Sequence, residues 1–70
     1  DNKKYYSYVN SNSILVINKA GKISRIYCPF KVINDMGEIS TVSAVRQDNG
    51  QKLHYLINGT LYYYSYFEII

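Results

Sequence analysis

Apolar and polar residues alternate along this chain in short runs that stop at Asn, Asp and Gly, and no stretch keeps a helical 3.6-residue spacing for long. The pattern predicts strands joined by tight turns. Its strongest element is the hairpin Gln51 to Ile70, with Asn58-Gly59 at the tip. Asn-Gly suits a type I′ turn, in which both central residues need positive φ. A two-residue turn sets Ile57 opposite Thr60, Tyr55 opposite Tyr62, Leu53 opposite Tyr64 and Gln51 opposite Tyr66, all on one face. The other face then collects Lys52, His54, Leu56, Leu61, Tyr63, Ser65, Phe67 and Ile69.

The remaining segments follow in order. Tyr5, Tyr6, Tyr8 and Val9 form an N-terminal tail or edge strand within residues 1–12, and Asn10 to Ser13 turns the chain. Residues 13–70 form the domain proper. Ile14 to Ile17 is an apolar strand, closed by a turn at Lys19-Ala20-Gly21-Lys22. Over Ile23 to Ile33, alternation turns Ile26, Cys28, Phe30 and Val32 inward and Arg25, Tyr27, Pro29, Lys31 and Ile33 outward. Pro29 has no N–H to donate, so this segment bends or bulges near Cys28-Pro29.

Asn34 to Gly37 turns again, and Ile39 to Arg46 is the next strand. A two-residue loop at Asn49-Gly50 pairs Ala44 with Tyr55 and Val42 with Ile57. A loop one residue longer sets Arg46 opposite Lys52, a repulsive pair, so the first register is expected. The sum is an all-β meander of five or six antiparallel strands. Seventy residues bury only about 60% of their unfolded surface. Curling into a partly open barrel is the economical way for such a sheet to make a core. The rhythm and length resemble SH3-like small barrels, although the chain has neither an ALYDY-type opening nor a tryptophan.

Composition narrows the chemistry. One cysteine cannot form an internal disulfide, and there is neither a membrane-length apolar run nor a signal-peptide pattern. These features point to a cytoplasmic chain without a membrane role. Cys28 and the only histidine, His54, fall on opposite faces, so no Cys-His nucleophile pair is expected. The carboxylates are scattered, the glycines stand apart at turns, and no metal-ligand spacing occurs. No cofactor, metal, small-molecule substrate or catalytic residue is expected.

Nine of the eleven aromatic residues are tyrosine, which keeps a polar edge on a large apolar ring. Tyr62, Tyr64 and Tyr66 alternate along one strand, with Tyr63 and His54 on its reverse. One of these sets is expected to meet a protein partner or a second copy of the chain. Net charge is +3. Lys22, Arg25, Tyr27 and Lys31 fall near one hairpin with Lys19, and form an alternative basic and aromatic face for nucleic acid.

Overall fold

The computed structural model describes residues 4–70; residues 1–3 of the basic opening lie outside the described residues. The fold is all-β and consists of three small antiparallel sheets, with no closed barrel. The first sheet has the order β1-β2-β3, from β1 (Tyr5–Asn10), β2 (Ser13–Ile17) and β3 (Ile23–Tyr27). The second has the order β5-β4-β9, from β4 (Phe30–Asn34), β5 (Ile39–Val42) and β9 (Phe67–Ile69). The third has the order β6-β7-β8, from β6 (Ala44–Gln47), β7 (Leu53–Ile57) and β8 (Thr60–Tyr63).

Six extended segments in the sequence become nine strands because three of them are interrupted. Each interruption hands the chain to another sheet. The first is the bend at Cys28-Pro29, a cis peptide bond between β3 and β4. The second is a bulge at Ser43: its N–H donates to the Leu56 carbonyl at 3.0 Å, while Ala44 is itself the residue opposite Leu56. Two residues there face one, which lets Val42 and Val45 both point inward despite their odd spacing. The third is a 3-10 turn at Tyr64–Tyr66, which separates β8 from β9.

All three sheets contribute to one core. Ile14 and Val16 come from the first, Phe30, Val32 and Val42 from the second, and Val45, Leu53, Tyr55 and Ile57 from the third. Burial of these side chains supplies most of the favourable free energy of so short a chain. At its centre Phe30 meets the Tyr55 ring edge-on, with centroids 5.4 Å apart. Ile26 and Cys28 pack against this cluster half-buried, on the inward side that alternation assigned them.

Three loops share one design. Asn18, Asn34 and Asp48 each receive, on one side-chain oxygen, the N–H groups two and four residues later, at 2.9–3.0 Å. Three residues follow the Asx residue, and the third takes positive φ: Gly21, Gly37 and Gln51. The last corrects the expected register. Asn49-Gly50 is not a two-residue loop, because Gln51 belongs to it at φ 61°. Val45 therefore lies opposite Tyr55 and Arg46 opposite His54, so neither of the weighed registers forms and Val45 replaces Ala44 in the core.

Candidate functional site

The Asn58-Gly59 turn behaves as its sequence requires. Both residues have positive φ, and Ile57 opposes Thr60, Leu56 opposes Leu61, Tyr55 opposes Tyr62 and His54 opposes Tyr63. Beyond Tyr63 the expected strand ends. The Phe67 N–H donates to the Tyr64 carbonyl, closing the 3-10 turn. Leu53 does not face Tyr64, nor Gln51 Tyr66.

The turn also exchanges the faces. Phe67 and Ile69, expected beside His54, pack on the core with Tyr55 and Phe67 rings 6.2 Å apart. Four predicted aromatic-site residues, placed by strand alternation on opposite faces, are gathered into one cluster instead. Tyr63 is its hub, with centroid distances of 5.6 Å to His54, 5.1 Å to Tyr64 and 6.2 Å to Tyr66. The His54 Nδ1 lies 3.1 Å from the Lys52 carbonyl, a bond it makes as a donor. Tyr62 stands apart, edge-on to Phe67 at 5.9 Å.

Tyr6 of β1 joins this cluster, 5.5 Å from Tyr64. Nothing in the sequence pointed to Tyr6, because the contact crosses between sheets. Burial pushes its hydroxyl pKa up, and the Glu68 carboxylate adds to the effect. The ring therefore stays a neutral hydrogen-bond donor at ordinary pH. Beside it opens a cleft of about 860 Å³, lined by Lys4, Tyr6, Lys19, Tyr64, Phe67 and Glu68 among others. The cleft lies where the end of the first sheet meets the 3-10 turn and β9.

Of the predicted aromatic-site residues, two project most. Tyr66 is 68% exposed and Tyr62 is 42% exposed, yet each rests edge-on against another ring. Aromatic groups fixed in this way lose little freedom when covered.

The basic set is divided. Arg25 and Tyr27 share the outer face of β3, with the guanidinium carbon 5.1 Å from the ring centroid. Lys22 closes the turn before β3, while Lys31 lies past the Cys28-Pro29 bend on β4, in the second sheet. Cys28 is half-buried, and desolvation raises its thiol pKa, which disfavours the reactive thiolate. Among the described residues, no three His, Cys, Asp or Glu side chains group to hold a metal, and no helix is long and apolar enough to cross a membrane.

No known family model matches the chain, and no curated protein or solved structure is significantly similar to it.

Proposed function

We propose that this chain is a non-catalytic binding module that receives a protein partner on the aromatic ridge around the 3-10 turn. The observation that carries this proposal is the ring cluster of Tyr63, Tyr64, Tyr66 and His54 with Tyr6 behind it. Protein interfaces are enriched in tyrosine, and their strongest anchors are rigid rings near the centre of the patch. Tyr66 supplies such a ring, held against Tyr63. The adjoining cleft carries Lys4, Lys19 and Glu68, which gives the ridge a polar rim. The three sheets, joined at sharp bends around one core, support an open barrel of the SH3-like kind as the scaffold.

The test is photo-crosslinking in the native host, with a photoreactive phenylalanine at position 66 and, as control, at position 49 in the Asp48 loop. Discrete adducts of defined mass are expected from position 66 and not from the control. Light scattering on the purified chain separates a second copy from another protein. Absence of position-specific adducts, with a monomer by scattering, rules the ridge out as an interface.

A nucleic-acid role has one observation in its favour, the exposed Arg25-Tyr27 pair. It requires oligonucleotide binding that weakens steeply as salt rises.

A further inference from the structure

Among the described residues, β3 has only one neighbour, β2. The Cys28 N–H donates to the Asn12 carbonyl, and the Asn18 N–H to the Lys22 carbonyl. In an antiparallel ladder hydrogen-bonded pairs alternate, so these two bonds turn the backbone groups of even-numbered residues toward β2. Ile23, Arg25 and Tyr27 therefore aim their N–H and C=O groups at the open edge. Their side chains share the outer face, where Ile23 is 60% and Tyr27 62% exposed.

Arg25 sits at the middle of this edge, already held in place. Its Nε and Nη2 donate to the Ser13 hydroxyl at 3.2 and 3.0 Å, and its guanidinium lies over Tyr27. Ser13 is fully buried and donates in turn to the Asn10 side-chain oxygen at 3.2 Å. These partners are all neutral. Residues 4–34 carry Lys4, Lys19, Lys22, Arg25 and Lys31 and no Asp or Glu. Among the described residues, the contacts of the Arg25 guanidinium thus include no carboxylate.

We propose that the open edge of β3 accepts, as an added strand, an extended segment of a protein partner in which an Asp or Glu opposite Arg25 is flanked, two residues away on each side, by apolar residues opposite Ile23 and Tyr27. The added strand satisfies the free backbone groups, and its alternate side chains meet the outer face, as in other cases of strand addition. This surface lies on a different sheet from the aromatic ridge and does not depend on it.

A second copy of this chain fits poorly. Two β3 strands paired about their centres set Arg25 against Arg25, which is unfavourable. The acidic strand β9 fails for a geometric reason. Its Ile70 N–H donates to the Lys31 carbonyl, so the backbone groups of Glu68 and Ile70 face β4. The open side of β9 would bring Phe67 or Ile69, not Glu68, opposite Arg25. A phosphodiester backbone fits less well too, because its phosphate oxygens only accept hydrogen bonds and leave the three carbonyls unmet.

The test is amide NMR on the 70-residue chain. Two blocked synthetic peptides are titrated to millimolar concentration, Val-Thr-Glu-Thr-Val and Val-Thr-Lys-Thr-Val, alongside a single-stranded oligonucleotide. The glutamate peptide is expected to slow exchange at the Ile23, Arg25 and Tyr27 amides, and the lysine peptide is not. Arg25→Glu should weaken the glutamate peptide about tenfold and admit the lysine peptide. Arg25→Gln, which keeps a polar group near Ser13, should weaken the first without admitting the second. No protection at these amides from the glutamate peptide overturns the proposal. So does protection that grows with protein concentration alone, or shifts produced by the oligonucleotide and not by the peptide.

Discussion

Val45 lies directly across from Tyr55, and both side chains are sealed from solvent. The register rests on Gln51 entering the loop, and it decides which residue of β6 fills the core. Val45→Ala removes two buried methyl groups and should lower stability by about 2–3 kcal/mol. Ala44→Ser, one position away, should change it by less than about 1 kcal/mol. Urea unfolding of the two variants distinguishes them. Equal losses, or a larger loss at Ala44, would show that the neighbouring register is the true one.

Gln51 holds a left-handed conformation that Gly21 and Gly37 occupy in the two sister loops. A side chain in that region clashes with its own backbone, at a cost of about 1 kcal/mol. Gln51→Gly should therefore stabilise the fold by up to about 1 kcal/mol, or about 4–8 °C in Tm for a domain of this size. Calorimetry reads this directly, and a lower Tm would contradict the loop geometry.

Asp48 accepts the Lys52 and Gly50 N–H groups, and these bonds hold its carboxyl below its ordinary value of 3.8. A depressed pKa gives stability that is present above the unfolded value and lost as pH falls through the folded one. Asp48→Asn, which copies the Asn18 and Asn34 loops, should retain the turn and flatten this acid dependence. Thermal melts between roughly pH 5 and pH 2 test it. An unchanged slope in the variant would mean that other carboxylates carry the whole effect.

Tyr63 and Tyr66 should separate folding from binding. Tyr63 touches three rings, each contact worth about 0.5–1.5 kcal/mol, so Tyr63→Ala should cost about 2–3 kcal/mol. Tyr66→Ala loses a single contact and should stay within about 1 kcal/mol of the parent. Denaturation compares the two stabilities, and the loss of binding is read by competition: unlabelled parent should suppress the adduct formed by the chain carrying the photoreactive residue at position 66, and unlabelled Tyr66→Ala should not.

Much of the fold was legible because local rules dominate it. Asn58-Gly59 demanded its turn, Pro29 demanded a break, and alternation turned Phe30 and Val32 inward. What escaped were the places where parity is reset. Asn49-Gly50 imitates a two-residue hairpin, but Asp48 two positions before Gly50 and four before Lys52 builds the longer loop. The spacing of Asn18 to Lys22 and Asn34 to Glu38 repeats that arrangement and held the clue. Ser43 gives no comparable signal, since its bulge depends on how β5 and β6 join different sheets. The run Tyr62 to Phe67 is made of good strand formers throughout, so the 3-10 turn follows from packing rather than propensity. That turn broke the expected alternation of Tyr62, Tyr64 and Tyr66, and it brought Tyr64 and Tyr66 together with Tyr63 and His54 while Tyr62 stayed apart.

β9 reaches its place beside β4 from more than half the chain away, with Ile69 opposite Val32. A growing polypeptide can complete its first two strand pairings early, but Val32 keeps one flank bare until Phe67 and Ile69 leave the ribosome. The nascent domain is thus exposed to proteases and to stray neighbours until that late pairing forms, and deleting Phe67 to Ile69 should prolong the exposure indefinitely.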